Sequence, residues 1–231
     1  MSTNLIKLLY HNKFFSRVFH TVLNEIQHEL ADCHSVLDLG CGPSSPLEYC
    51  ANVRYSVGVE PFSEYIQISK RKQIHSRYIN RKIQELDFKE KSFDAVIMIE
   101  VLEHLDKNTG DKLLKKIEKW AKKKVIVTTP NGFVAQKSLD SNPLQQHLSG
   151  WTAQEMRNRG YSVKGLAGLI TLRQELPTDT IGDDLTASIK YQPRLFWFIV
   201  ATLSQTIIYH FPQLAFEMFC VKKTIINKQD V

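Results

Sequence analysis

Short, nearly continuous apolar runs alternate with amphipathic stretches between residues 35 and 130, and few folds accommodate that alternation. Ser35-Val-Leu-Asp-Leu-Gly40, Tyr55-Ser-Val-Gly-Val-Glu60, Tyr78 to Phe88, Phe93-Asp-Ala-Val-Ile-Met-Ile-Glu100 and Lys124 to Pro130 each read as a strand without a wet face. Helical spacing lies between several of them, most clearly in Leu113, Leu114, Ile117, Trp120 and Ala121. Strands buried on both sides and separated by helices predict a mostly parallel, doubly wound α/β sheet. Ahead of it, residues 3–34 are helical in pattern, with Phe15, Phe19, Val22, Ile26 and Leu30 on one face. Behind it, Thr152-Ala-Gln-Glu155 is a capping-box sequence that opens a helix ending near Gly160, and Tyr161 to Ala167 reads as another strand. Residues 171–194 are irregular; an apolar helix over 195–211, Pro212, and a strand over 214–221 follow.

The chain of 231 residues suits a single domain: N-terminal helices in 1–34, a core in 35–170, a lid-like insertion in 171–212, and a last strand with its tail in 213–231. Four cysteines with no Cys-x-x-Cys pair speak for a reduced, cytoplasmic setting and against a cysteine zinc site. No secretory leader is read at the N-terminus. The net charge of +6 is local: Lys107 to Lys124 holds eight lysines against two acids, and Lys70 to Lys82 holds six basic residues and no acid. The remainder is net acidic, so the basic segments read first as solvated helix faces and second as attractors of RNA or anionic headgroups.

Val36-Leu-Asp-Leu-Gly-Cys-Gly-Pro-Ser-Ser45 places a glycine turn after the first strand, where backbone N–H groups approach a ligand. A nicotinamide dinucleotide would ask for a third glycine where Ser45 stands, and would meet repulsion from Asp38. Asp38, Glu60 at the end of the second strand, and Asp87 suit a ligand with ribose hydroxyls and positive charge but no phosphate. S-adenosylmethionine is such a ligand. Each acid alone could be a turn or a cap; all three at strand ends, on the side where doubly wound sheets bind ligands, read as one site.

These segments resemble the motifs of class I S-adenosylmethionine-dependent methyltransferases. The resemblance covers residues 33–170 and the last strand. It implies a Rossmann-like, seven-stranded sheet whose last strand is antiparallel. Gly40, Cys41 and Gly42 would cradle the cofactor with Asp38, Glu60 would bind its ribose, and Asp87 with Phe88 would read its adenine. Glu100 would border the methyl end. Glu100, Glu103 and His104, with His147 before Trp151-Thr152, resemble the Glu-x-x-Glu-His plus distant histidine set of small-RNA 2′-O-methyltransferases. A Glu-x-x-Glu-His site also occurs in ubiquinone-pathway O-methyltransferases. Such donors could hold Mg²⁺ or Mn²⁺. The same segment is common in relatives with no metal, and that plainer reading is preferred, with His104 and His147 as candidate bases.

The expected activity is methyl transfer to an acceptor, an oxygen by preference, on a small or lipid-like molecule. A metal-dependent enzyme acting on RNA 3′ ends or a quinone precursor is the alternative. A non-catalytic, cofactor-binding regulatory partner is another. RNA is disfavoured, because the two basic helices should lie on opposite sheet faces. The segment Leu195 to Tyr209 is interrupted by Ser204-Gln205-Thr206 and cut by Pro212, so it does not span a bilayer. Its Phe196, Ile199, Leu203 and Ile207 form one apolar face, suited to core packing, to a lid over the substrate, or to peripheral contact with lipid.

Overall fold

In the computed structural model, residues 19–136, 142–174 and 186–224 are described. Helix α1 (Val22–Glu29) precedes β1 (Ser35–Leu39), β2 (Tyr55–Val59), α2 (Ser63–Lys72), β3 (Arg77–Ile79) and β4 (Phe93–Ile99). Then come α3 (Lys107–Trp120), β5 (Ala121–Pro130), α4 (Ala153–Asn158), β6 (Ser162–Leu169), α5 (Arg194–Ile208) and β7 (Ala215–Lys223). The seven strands lie in the order β3-β2-β1-β4-β5-β7-β6. Strands β1 to β5 pair in parallel, and β7 runs antiparallel to both β5 and β6. This is the expected doubly wound sheet with its antiparallel last strand.

Alternating side chains split the core into two layers, as the pleat requires. Leu37, Leu39, Val57, Val96, Met98, Val125 and Val127 face α3 and Trp151 on one side. Val36, Ala95, Ile97, Ile126 and Phe219 face Ile26 and Leu30 of α1 on the other. Helix α3 opens where the Asp106 carboxylate accepts from the Thr109 N–H at 3.0 Å, and buries Leu113, Leu114, Ile117 and Trp120 along one stripe. Helix α4 opens on the reciprocal Thr152–Glu155 capping box.

Several boundaries differ from the sequence expectation. The third strand stops at Ile79, because Asn80 turns its amide onto the Glu60 and Pro61 carbonyls; a single 3₁₀ turn, Ile83–Glu85, follows instead of strand. The glycine loop leads into a 3₁₀ turn, Pro46–Tyr49, rather than an α-helix. The first helix is described only from Val22, and residues 3–18 of the expected helix lie outside the described residues. In the irregular 171–194 stretch an isolated bridge joins Arg173 to Ile189, and 175–185 lie outside the described residues.

Helix α5 departs most. Its inward face is Phe198, Ala201, Gln205 and Ile208, seated on β6. The face read as suited to core packing, a lid or lipid contact is turned outward, which removes the core-packing reading: Phe196 is 54% exposed, Ile199 47%, Leu203 58% and Ile207 63%. Close approach to β6 decides the rotation. A methyl on Gly165 would lie 2.3 Å from the Ile208 carbonyl, and one on Gly168 as near to that of Ala201. The Gln205 amide closes the contact, donating to the Gly165 carbonyl and accepting from the Gly168 N–H. No described helix is long and apolar enough to cross a membrane.

The buried Glu25 carboxylate ties three elements together. Lys164 of β6 reaches it at 2.8 Å, His20 at 3.0 Å, and the Tyr209 hydroxyl donates to both its oxygens at 3.1 Å. Burial alone would raise the Glu25 pKa, but Lys164 and the other two partners hold it below the ordinary value. Lys164→Met should therefore cost about 3 kcal/mol at neutral pH, the order expected when one partner of a buried pair is removed. A carboxylate with a lowered pKa stabilises above its unfolded value and loses that stabilisation as pH falls through the folded one. Urea unfolding of the two proteins should thus differ at pH 7 and converge below about pH 4.

Candidate active site

The glycine loop sits at the carboxyl end of the parallel strands. Gly40 and Gly42 have φ of +72° and +56°, which side chains with a Cβ rarely adopt. The N–H groups of Gly40 and Cys41 donate to the Val59 carbonyl at 2.8 and 3.0 Å, tying the loop to β2. The Glu60 carboxylate accepts from the Gly42 N–H at 3.1 Å and from the Phe62 N–H at 2.8 Å. Burial raises its pKa, and these two bonds oppose the rise.

Asp38 lies beneath the loop and does not line the cavity above it. It is buried, accepts from the Ser45 hydroxyl at 2.6 Å, and has His75 Nε2 at 3.5 Å. Burial pushes its pKa up to about 7, with the Ser45 hydrogen bond opposing and Glu60 adding to the rise. Ser45 also accepts from the Leu47 N–H at 3.2 Å. The residue that departs from the glycine pattern is thus the one that fastens the loop to Asp38.

Above the loop is a cavity of about 440 Å³, a size suited to a nucleoside-containing ligand. Of the residues read as site residues, Gly40, Cys41, Gly42, Glu60, Glu100 and His104 line it. Asp87 and Phe88 do not. Asp87 points to solvent with Lys116 at 3.7 Å, and Phe88 packs edge-on against Phe93 and Trp120. The early end of β3 brings Lys82, Ile83 and Gln84 to the wall in their place, and Tyr65 of α2 faces the same space. No sequence signal marked these residues, because their position follows from where β3 stops.

At the far end, Glu100 closes β4 with φ of +51°, strained for a side chain with a Cβ. Thr128 holds it there: the Thr128 hydroxyl donates to Glu100 Oε1 at 2.7 Å, and the Glu100 N–H donates to Thr128 at its carbonyl and hydroxyl. Glu103, His104 and His147 come together, with one possible ligand atom from each all within 4.8 Å of one another. The two imidazoles stand edge to face, 4.8 Å between centroids. His104 Nδ1 lies 3.2 Å from the Gln146 carbonyl and His147 Nδ1 2.6 Å from that of Val134, so each ring donates there and carries its lone pair on Nε2. Burial, reinforced by His147, lowers the His104 pKa to about 4.

Neither carboxyl oxygen of the buried Glu103 has a hydrogen-bond partner among the described residues. Burial and then the neighbouring Glu100 push its pKa well up. The expected four-residue constellation is therefore three residues here, because Glu100 is held by the Thr128 hydroxyl, with Glu103 and then Glu217 of β7 as its acidic neighbours. Glu217 was missed at the sequence level, although it is a lone acid after a long uncharged stretch. A smaller cavity of about 280 Å³ opens beside this cluster and shares Glu100, His104 and Gln145 with the larger one.

The left-handed glycines, the Glu60 carboxylate and the acidic far end fit a ligand that brings ribose hydroxyls and positive charge. Residues 37–128 match the model of the methyltransferase domain family. A chain from the complex between the Haloferax volcanii Trm112 methyltransferase activator and a methyltransferase is similar at a TM-score of 0.56 and 15% identity, with 96% of each chain covered. An S-adenosylmethionine-dependent methyltransferase from Archaeoglobus fulgidus is similar at 0.51 and 18% identity, covering 91% of this chain and 98% of that one. The methyltransferase domain of a bacterial Hen1 is similar at 0.50 and 20% identity, covering 88% and 97%. At such identities these likenesses speak to the fold. No curated protein matches the sequence. The family model lies over the glycine loop, Glu60 and the β4 end, so the matched part of the chain is the part that builds this cavity, and it supports a class I S-adenosylmethionine-dependent methyltransferase.

Proposed function

We propose that this methyltransferase acts on a hydroxyl oxygen of a small or lipid-like molecule. The observation that carries the reading is the convergence of Glu103, His104 and His147 beside the cofactor cavity. A sulfonium methyl is already activated when bound, so the residues here have to align the acceptor, take its proton and exclude water. The acceptor oxygen forms the new bond to the methyl carbon as the carbon–sulfur bond breaks, and its electron pair passes to sulfur. The hydroxyl proton goes to Nε2 of one of the two neutral imidazoles, each aimed by a backbone carbonyl at its other nitrogen. Gly40 to Gly42 and Glu60 hold the nucleoside end.

A second reading is favoured by one observation, the partnerless carboxyl of Glu103. A divalent cation held by Glu103, His104 and His147 would satisfy it, and when bound would acidify the acceptor hydroxyl. The basic helices support a small acceptor over RNA. Helix α3 packs in the layer with Trp151, whereas Ile74, just after α2, packs in the opposite layer. A continuous phosphate track does not form from two faces.

S-adenosylhomocysteine should raise the melting temperature of the protein. Glu60→Ala should weaken its binding by about 1–3 kcal/mol, measured by calorimetry, since it removes a charged acceptor from ligand and loop alike. Absence of any binding to the wild type would refute the cofactor assignment.

His147→Ala should abolish turnover while leaving S-adenosylhomocysteine affinity within about twofold, because His147 lines the small cavity and not the cofactor cavity. Turnover in excess chelator separates the two readings: full activity means the histidines act as bases, and loss restored by Mg²⁺ or Mn²⁺ means a metal is held.

A further inference from the structure

A second cavity, of about 380 Å³, lies between the start of α1, the end of β6 and the inner face of α5. It shares no lining residue with the cofactor cavity. A bulge in β6 creates it. Leu166 pairs with Glu217 and Leu169 with Ala215, so Ala167 and Gly168 together oppose Phe216 alone, both with positive φ. The strand therefore bows away from β7, and Phe198 and Ala201 of α5 cover the gap with Val22 and Leu23 of α1 opposite.

The charged groups of this lining are Arg173 and Glu217. Arg173 is fixed by bonds to the Ala167 carbonyl and the Ser188 hydroxyl, each 2.5 Å, and its guanidinium stands 5.8 Å from the Phe216 ring centre. The Glu217 carboxyl meets Glu100, which lines the cofactor cavity and the small cavity beside the histidines. The Arg173–Glu217 end of the chamber thus abuts Glu100 without sharing a lining residue with the cofactor cavity, and Val22, Leu23, Leu166 and Phe198 supply its apolar walls. Helix α5 carries apolar side chains on its outer face as well, and residues 186–216 include Lys190 and Arg194 but no acid. A neutral-to-basic apolar helix over an apolar chamber is an arrangement for a ligand with a long apolar body.

We propose that this chamber is a binding pocket separate from the cofactor and histidine cavities, and that it takes the apolar body of a single-chain amphiphile with its anionic end toward Arg173.

Parinaric acid, a fluorescent long-chain acid that binds as a monomer, is the probe, titrated into the full-length protein below its aggregation limit. Calorimetry with S-adenosylhomocysteine is run on the same samples. The wild type should bind the probe saturably, and Thr202→Phe should weaken it about tenfold by filling the chamber from a half-buried position on α5. Ala201→Phe is the second filling variant, and both should retain S-adenosylhomocysteine affinity. No saturable binding, or equal binding by wild type and both variants, overturns the pocket. Sedimentation with phosphatidylcholine–phosphatidylglycerol vesicles, without monomer binding, also overturns it and assigns the outer face of α5 to the membrane surface.

Discussion

The ligand end of the sheet depends on one carboxylate bonded to backbone. Glu60 accepts the Gly42 and Phe62 N–H groups at once, and so spans the loop after β1 and the turn after β2. Both glycines of that loop are left-handed, a conformation with little intrinsic preference for one geometry. Hydrogen bonds must therefore select it. Glu60 selects it from the side, the Val59 carbonyl through Gly40 and Cys41, and Asp38 from beneath through Ser45. A ribose bound at Glu60 would then find an acceptor already held in place, which lowers the ordering cost of binding.

Carboxyl groups crowd the rest of that edge. Glu103 is buried, Glu217 is half-buried and Glu100 opens onto the cofactor cavity, and desolvation within this cluster pushes all three pKa values upward. A folding core has no use for such an arrangement, since buried charge is expensive and buried polar atoms without partners are rare. The strained φ of Glu100 lies at the same spot. Strain, raised carboxyl pKa values and a partnerless carboxyl within one small region mark where stability has been given up for chemistry. Away from the ligand end, polar groups form conventional ion pairs such as Lys164 on Glu25, Lys124 on Asp32 and Arg159 on Asp111.

The parallel half of the fold was legible because its signals are local. Val36 to Leu39 and Phe93 to Ile99 are too apolar to be anything but buried strands, and Gly40 and Gly42 announce a left-handed turn wherever they stand. Glu60 could be placed because it directly follows a strand. Asp87 and Phe88 could not, because their position depends on whether β3 continues past Ile79, and Asn80 settles that by bonding to residues twenty positions away. The same limit applies to α5. Its two apolar faces are equivalent to periodicity, and only the close seat of Gly165 and Gly168 on its carbonyls decides which faces the sheet. Asp38, read as a cofactor contact, lies beneath the loop and accepts from Ser45, since sequence order cannot say on which side of a strand end an acid points.

The reversal of β7 divides the labour of the sheet. Parallel strands all present their carboxyl ends at one edge, and there the loops after β1, β2 and β4 build the cofactor cavity. Because β7 enters antiparallel, its first residues, Phe216 and Glu217, arrive at that same edge rather than the opposite one. The reversal thus brings Glu217 beside Glu100, and brings with it the α5 and β6 elements to which β7 is joined. A parallel seventh strand would have put its starting residues at the far edge, leaving the β4 and β5 ends without a neighbour from this part of the chain. The bulge in β6 then needs only one extra residue to turn the adjoining surface into a chamber. The cofactor cavity and the β6–α5 chamber therefore stand back to back at one place, the Glu100–Glu217 contact, set by strand direction.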